Sequence, residues 1–145
     1  MSSLLTSSSK ETLTLALHKN GLRPTKQRAS IYGVILGKRD HPTADDIYDR
    51  VKKHLPGTSF ATVYNCLETL VGCGLVRQVN MDRSPTRYCP NLTPHAHFRC
   101  SQSGKIYDVE IDSDTLSLMQ ALVPEGFEAE SLDLSFSGTA KPSNN

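Results

Sequence analysis

The sequence predicts an α+β protein with an N-terminal winged helix-turn-helix lobe followed by a small α/β lobe. Two observations predict this division. Helical apolar spacing gives way to short alternating segments after roughly residue 75. The charge also changes sign: residues 1–80 carry 11 Lys and Arg against 6 Asp and Glu, whereas residues 81–145 carry 5 against 9. A chance partition of few charges is the alternative to a first lobe that meets a polyanion.

The first two helices follow from their end signals. Segment 1–9 is rich in Ser and Thr and is expected to be mobile, so the first helix is predicted from near Lys10 to about Gly21. Thr25 can accept a backbone hydrogen bond as N-cap of a second helix, which runs from Lys26 to about Lys38. Both helices would belong to the first lobe.

Two further helices and a hairpin complete the first lobe. Thr43 and Asp46 resemble a capping box at the start of the third helix. Ser59 can cap the fourth, whose apolar stripe ends at glycines. The segments 75–80 and 86–89 then alternate as two strands around a turn. Helices followed by a two-stranded hairpin are typical of a winged helix, which is predicted over residues 10–89.

The second lobe is predicted over residues 95–138, after a linker at 90–94. Its expected elements are a strand His95–Cys100, a strand Lys105–Ile111, a helix Asp114–Leu122 and a strand Ser131–Phe136. The remaining residues, 139–145, form a polar tail.

The fourth helix has the composition of a DNA-recognition helix. Small and polar residues lie near its N-terminus, while its opposite face is apolar. Basic residues at the entrance to the second helix are placed to clamp the sugar-phosphate backbone. In the alternative interpretation, Thr62 and Tyr64 merely cap and pack the helix. The candidate DNA-binding residues are Arg23, Lys26, Arg28, Ser59, Ala61, Thr62, Tyr64 and Asn65.

A cluster of metal-ligand types follows the hairpin. His95 and His97 alternate on a predicted strand, so both rings should point to one side. Cys89 precedes this strand, and Asp108 lies on the next one. Each has a simpler explanation, since Cys89 suits a small core position and Asp108 suits a solvated strand.

Five linked motifs resemble the ferric uptake regulator superfamily over about residues 10–138. They are Gly21-Leu-Arg-Pro-Thr-Lys-Gln-Arg28, His41-Pro-Thr-Ala-Asp-Asp-Ile-Tyr48, Ser59-Phe-Ala-Thr-Val-Tyr64-Asn-Cys-Leu, Gly74-Leu-Val and His95-Ala-His97.

The resemblance implies a homodimeric metal-dependent repressor whose second lobe is a dimerisation lobe. It implies that Arg23 contacts a minor groove and Tyr64 contacts a base. It adds His41 to Cys89 and to the other metal ligands, His95, His97 and Asp108. It also implies one regulatory divalent metal per subunit, Fe²⁺ or Mn²⁺, or Zn²⁺, with double-stranded operator DNA and a second copy of the chain as partners.

Cys89 departs from the peroxide-sensing branch that the sequence otherwise resembles closely. That branch has an acidic oxygen ligand at this position, whereas the zinc-sensing branch often has cysteine. A thiolate favours Zn²⁺ over Mn²⁺ and is oxidisable. Control of peroxide-stress or iron genes, and of zinc uptake, therefore both remain open.

A second site of the family is incomplete. Most relatives hold a structural zinc with two Cys-x-x-Cys pairs, but here Cys100 keeps only the first position. Ser103, Ala140 and Ser143 occupy the others. A single cysteine cannot form a closed four-sulfur site, so no structural zinc is expected. A lobe this small then depends on dimer burial, to which we expect the apolar residues Val109, Ile111, Leu132, Leu134 and Phe136 to contribute.

Other classes fit the sequence poorly. A metallohydrolase is disfavoured because the sequence lacks the zinc-deaminase pattern and the HExxH motif, so no small-molecule substrate is expected. A metal-independent DNA-binding protein is disfavoured by the retained donors. The four cysteines are too sparse for a disulfide scaffold, and no apolar segment is long enough to span a membrane. A cytoplasmic protein is expected.

Overall fold

The computed structural model describes residues 5–81 and 83–141. The chain divides into two compact units, Met1–Leu92 and Thr93–Asn145, which we name the N-lobe and the C-lobe. The division falls inside the predicted 90–94 linker. The elements in order are α1 (Ser7–Lys19), α2 (Lys26–Gly37), α3 (Ala44–Lys52), α4 (Phe60–Gly72), β1 (Arg77–Val79), β2 (Arg87–Cys89), β3 (His95–Cys100), β4 (Ile106–Glu110), α5 (Ser113–Gln120) and β5 (Ser135–Gly138).

Helix α1 begins earlier than the sequence predicts. The Thr6 hydroxyl accepts a hydrogen bond from the Ser9 N–H at 3.1 Å, so this side chain caps a helix that starts at Ser7. The expectation of a mobile segment 1–9 is therefore wrong for Ser7–Ser9, and residues 1–4 lie outside the described part of the chain. The helix docks through Leu13 and Leu17, which are buried.

The N-cap predictions for the next three helices are confirmed. Thr25 and Ser59 each accept a backbone N–H three residues on. Thr43 and Asp46 form the complete reciprocal capping box, which fixes where α3 begins. These helices bury one shared apolar core, whose central members are Leu13, Leu17, Ile31, Ile35, Ile47, Val51, Val63, Leu67 and Leu70.

The hairpin packs beside the segment that precedes α3. Strands β1 and β2 pair antiparallel, with Arg77 opposite Cys89. On the other side of β2, the Tyr88 N–H donates to the Pro42 carbonyl at 2.9 Å, and Thr43 pairs with Arg87. This hairpin of β1 and β2, which we name the wing, therefore holds the 41–43 segment in a fixed position.

The C-lobe contains a three-stranded sheet in the order β4-β3-β5. Strand β4 is antiparallel to β3, as a short connection allows, whereas β5 is parallel to β3. The prediction of a strand over Ser131–Phe136 is wrong in position, since β5 covers Ser135–Gly138. Alternation indicates the faces of a segment, but pairing with His97–Cys100 decides which residues form the strand.

The strand register gives the C-lobe sheet two different faces. His97 pairs with Asp108 on one face, and Phe98 pairs with Tyr107 and with Phe136 on the opposite face. Helix α5 buries none of its residues. In the described part of the chain, no helix is long and apolar enough to cross a membrane.

Candidate metal centre and nucleic-acid interface

Three donor side chains converge on one face of the C-lobe sheet, and we name them the C-lobe triad: His95, His97 and Asp108. The Nε2 atoms of the two imidazoles lie 3.1 Å apart. The Asp108 Oδ1 atom lies 3.5 Å from His95 Nε2 and 3.3 Å from His97 Nε2. The prediction that the two rings point to one side of the strand is confirmed by this geometry.

A backbone contact fixes the tautomer of the neutral His95 ring. Its Nδ1 lies 2.6 Å from the Thr93 carbonyl oxygen, which can only accept a hydrogen bond. The proton of the neutral ring must therefore be on Nδ1, and the lone pair is on Nε2, toward the other two donors. Sequence reasoning missed this contact, because a backbone carbonyl leaves no signature in the residue pattern.

The spacing of the triad fits a divalent cation. Ligand atoms about 2.1 Å from a tetrahedral Zn²⁺ are separated by about 3.4 Å, and octahedral ligands by about 3.0 Å. The three separations in the triad, 3.1, 3.3 and 3.5 Å, match these values. Two imidazoles and one carboxylate are good donors for late first-row metals.

The N-lobe holds a second set of donors, His41 and Cys89. Because Thr43 pairs with Arg87 in antiparallel register, His41 lies opposite Cys89. One ring nitrogen of His41 lies within 4.8 Å of the Cys89 Sγ, and both side chains are buried. We name these two residues the N-lobe pair.

The backbone at His41 is held in an uncommon conformation. Its φ is +55°, in the left-handed region that non-glycine residues seldom occupy. The Arg87 guanidinium donates to the His41 carbonyl at 3.1 Å and secures this turn. At the second member of the pair, the Asn91 N–H donates to the Cys89 sulfur at 3.4 Å. Local backbone contacts thus orient both members of the N-lobe pair.

The predicted recognition residues lie along the exposed side of α4. Tyr64 is 46% exposed, and Ala61 and Asn65 are also exposed. Ser59 caps the helix, and its hydroxyl contacts the Thr62 hydroxyl at 3.0 Å. Thr62 therefore takes part in the cap through its N–H and hydroxyl, whereas Tyr64 does not pack into the core.

The predicted basic residues surround a cleft in the N-lobe. The cleft has a volume of about 530 Å³ and is lined by His18, Gly21, Leu22, Arg23 and Arg28. An Arg28 guanidinium nitrogen donates to the Arg23 carbonyl at 2.7 Å, which bends this side chain back toward the α1–α2 loop. Lys26 is exposed in the first turn of α2. His18 also lines this cleft.

Cys100 lies apart from the triad, on the other face of β3. Its sulfur accepts hydrogen bonds from the Ala140 N–H, from the Ser103 hydroxyl and N–H, and from the Gln102 N–H. These donors stabilise the thiolate and lower the pKa of Cys100 from 9.0 to about 6. Ser143 lies outside the described residues. The expectation that no structural zinc binds here stays a prediction.

The winged-helix N-lobe and the metal-donor face of the C-lobe together define a two-lobed α+β architecture. The ferric uptake regulator family model matches residues 19–137. The chain therefore belongs to the ferric uptake regulator family, whose members are transcription regulators and not enzymes. The fold class and the family resemblance expected from the sequence are both confirmed.

Individual relatives give a finer comparison. The peroxide-responsive repressor PerR of Staphylococcus aureus (strain Mu50 / ATCC 700699) is 36% identical over 95 residues. The matched part is 66% of this chain and 64% of that relative, so it spans a little under two thirds of the relative's length.

Two solved structures share the fold. The ferric uptake regulator Fur of Helicobacter pylori, described as having three functional metal-binding sites, has a TM-score of 0.77 and 24% identity over 100% of both chains. The peroxide stress regulator of Campylobacter jejuni has a TM-score of 0.70 and 26% identity, covering 93% of this chain and 95% of its own.

Proposed function

We propose that this protein is a metal-dependent homodimeric repressor, which binds operator DNA when its regulatory metal is bound. The observation that carries the proposal is that both lobes hold oriented metal donors: a buried nitrogen and a buried sulfur in the N-lobe, and a C-lobe triad with 3.1 to 3.5 Å separations.

We assign one divalent cation per subunit to five ligands: His41, Cys89, His95, His97 and Asp108. When bound, the cation supplies a positive charge that draws together donors from the two lobes. The N-lobe pair is fixed to the wing through Arg87, and the wing belongs to the DNA-binding lobe. Metal occupancy is thereby linked to the orientation of the recognition helix, which makes operator affinity depend on metal.

Helix α4 is the DNA-reading element in this proposal. Tyr64 and Asn65 project from its exposed side and are suited to a thymine methyl and an adenine edge. Arg23, Lys26 and Arg28 supply positive charge for phosphates or a minor groove. A protein that binds operator DNA works where the DNA is, which places it in the cytoplasm.

The homodimer is proposed from the second face of the C-lobe sheet. Tyr107 on β4 and Phe136 on β5 lie opposite Phe98 on the two neighbouring strands, so the three rings form a cross-strand row. Tyr107 is 44% exposed and Phe136 is 47% exposed. On α5, Leu118 is 72% exposed, and Leu122, just after the helix, is 79% exposed. So much exposed apolar surface on a small lobe favours burial against a second copy.

The metal and the stimulus can be narrowed to two candidates. The 36% identity to a peroxide-responsive repressor favours Fe²⁺ or Mn²⁺ and control of peroxide-stress or iron genes. Cys89 is the observation that favours the alternative, a zinc-responsive repressor of zinc uptake genes, because a thiolate prefers Zn²⁺ to Mn²⁺. We propose the peroxide or iron function first, with the zinc function as its competitor.

The test is anaerobic purification followed by metal analysis and DNA binding. A duplex selected by the metal-loaded protein from a random-sequence pool serves as the operator. Binding is measured before and after chelation with EDTA, and before and after peroxide, for wild type and Cys89→Asp. Loss of binding on chelation supports a metal-dependent repressor, and unchanged binding overturns it.

The same measurements separate the stimuli. Bound iron with peroxide-sensitive release of DNA supports the oxidant-sensing function. Zinc-dependent binding that peroxide does not alter assigns the protein to zinc homeostasis.

A further inference from the structure

Three side chains form a surface cluster where helix α3 meets the start of α4, and we name them the Tyr48 cluster: Tyr48, Lys52 and Phe60. The rings of Tyr48 and Phe60 meet edge to face, with centroids 5.5 Å apart and planes at 80°. The Lys52 ammonium lies over the Tyr48 ring, 4.6 Å from its centroid. Tyr48 and Lys52 are one helical turn apart, so they share a side of α3.

The cluster is exposed beside the N-terminus of the recognition helix. Phe60 is the first residue of α4 and remains 40% exposed, and Lys52 is also exposed. The edge-to-face contact ties the middle of α3 to the end of α4 that offers its free backbone N–H groups.

The charge of Lys52 differs from that of its neighbour Arg50. The two guanidinium nitrogens of Arg50 donate to the Asp40 carboxylate at 3.0 and 2.8 Å, so this pair compensates its own charge. Lys52 is held by a neutral ring instead. Its charge is therefore not compensated by a carboxylate in the described part of the chain, and the ring contact restricts its stem before any ligand arrives.

We propose that Lys52 is a DNA-phosphate contact, positioned by the Tyr48 ring and, through that ring, by Phe60. This inference rests on the proposed operator binding through α4. In helix-turn-helix proteins the helix before the recognition helix crosses the DNA backbone. Lys52 is the last residue of that helix, and its ammonium lies over the ring that contacts the first residue of α4. In this proposal the ammonium therefore faces the edge of the groove that α4 enters.

The ligand is a phosphodiester and not a base edge. An ammonium on a flexible stem binds phosphate as a point charge and reads no sequence. Lys52 should therefore contribute equally to the selected operator and to a random duplex of the same length. The Tyr48 ring should affect affinity without adding a charge of its own.

The experiment measures the dissociation constant of metal-loaded wild type and variants across a range of KCl concentrations, on both duplexes. For Lys52→Gln we expect a loss of roughly tenfold in affinity and a decrease of about 0.9 in the salt slope for each subunit bound. Lys53→Gln is the matched control, since it removes the same charge from the adjacent exposed residue. We expect the slope of this control to change much less.

Variants of Tyr48 test the positioning. Tyr48→Phe keeps the ring and should bind like wild type. Tyr48→Leu removes the ring and should weaken affinity severalfold while leaving the salt slope unchanged, because Lys52 can still reach the phosphate but must first be ordered. Thermal denaturation of both variants identifies any loss of folding.

The outcomes separate this inference from the proposed function. If wild type binds both duplexes and Lys52→Gln keeps the wild-type affinity and slope, or matches Lys53→Gln, the inference is wrong and the repressor function stands. If wild type binds neither duplex with metal present, both are wrong. A loss confined to the selected duplex would also overturn the phosphate assignment, since it would mean that Lys52 reads sequence.

Discussion

His95 and His97 place their Nε2 atoms 3.1 Å apart, at the same point where each faces the Asp108 carboxylate. Two imidazole nitrogens this close interact favourably when one accepts a hydrogen bond from the other or when both bind one cation. Because the Thr93 carbonyl holds the proton of neutral His95 on Nδ1, His95 offers a lone pair at this point. The C-lobe triad is thus preorganised for a cation.

Removing one imidazole should therefore weaken metal binding. For His97→Ala we expect the affinity for Zn²⁺ and for Mn²⁺ to fall by at least about tenfold, since the cation loses a direct ligand. Competition with a fluorescent chelator under anaerobic conditions measures this change. His54→Ala is the control, because His54 is exposed and lies outside the proposed ligand set. Equal affinities for the two variants would remove His97 from the site.

Exchanging the sulfur ligand should change which metal is preferred. Cys89→Asp replaces a soft thiolate with a hard carboxylate, so the ratio of Zn²⁺ to Mn²⁺ affinity should fall by about tenfold or more. Parallel titrations with the two ions give this ratio. Cys73→Ser, at the C-cap of α4, should leave it unchanged. An unaltered ratio in Cys89→Asp would mean that the sulfur does not bind the cation.

Much of the candidate site follows from the sequence because strand alternation is a local property. Because side chains alternate along a strand with a period of two, His95 and His97 lie on one face independently of the packing of the rest of the lobe. Capping residues likewise fix the helix starts at Thr25, Thr43 and Ser59 from short-range chemistry alone. Local rules therefore predicted these three helix starts and two of the donors, His95 and His97.

Other features depend on contacts between distant parts of the chain. His41 lies opposite Cys89 only because the 41–43 segment pairs with β2. Arg87 on that strand, which donates to the His41 carbonyl, is 46 residues away from His41 in the sequence. The true position of β5 is set by its pairing with β3, where Gly138 accommodates the Phe98 ring 3.3 Å from the place a Cβ would occupy. Residue patterns carry no record of such pairings.

The Asp40–Arg50 pair should make stability depend on pH. The hydrogen bonds from Arg50 lower the pKa of Asp40 below its ordinary 3.8, so the folded state favours the carboxylate. This stabilisation is present above the unfolded pKa and is lost as the pH falls through the lower folded pKa. Asp40 is 40% exposed, so Asp40→Asn should cost only about 0.5 to 1 kcal/mol at neutral pH.

Urea denaturation of the Asp40→Asn variant over a range of pH checks this prediction. The difference from wild type should vanish in strong acid, below pH 3.8. Asp49→Asn, which changes an exposed carboxylate on α3, supplies the comparison. A difference that persisted in strong acid would point to a packing defect rather than to the ion pair.

The aromatic face of the C-lobe should control the oligomeric state. Phe136→Asp places a charge in the row formed with Phe98 and Tyr107, so we expect the dimer to dissociate to monomers at micromolar concentration. Light scattering during size-exclusion chromatography measures the mass. Leu15→Asp makes the same kind of change on α1, where the leucine is 56% exposed, and should leave a dimer. Dimers of the same strength in both variants would place the interface elsewhere.

Cys100 should titrate as an acidic thiol. The N–H of Ala140 and the donors of Ser103 and Gln102 lower its pKa from 9.0 to about 6, whereas burial raises the pKa of Cys66. In metal-free protein, the ultraviolet thiolate absorbance of wild type minus Cys100→Ser should rise with a midpoint near pH 6. Subtracting Cys66→Ser instead should reveal no thiolate below pH 9.

Because the pKa of Cys100 is lowered in the folded state, the stability advantage of wild type over Cys100→Ser should be full above pH 9, shrink as the pH falls, and disappear below about 6. A midpoint near 9 would show that the donors around Cys100 do not stabilise its thiolate.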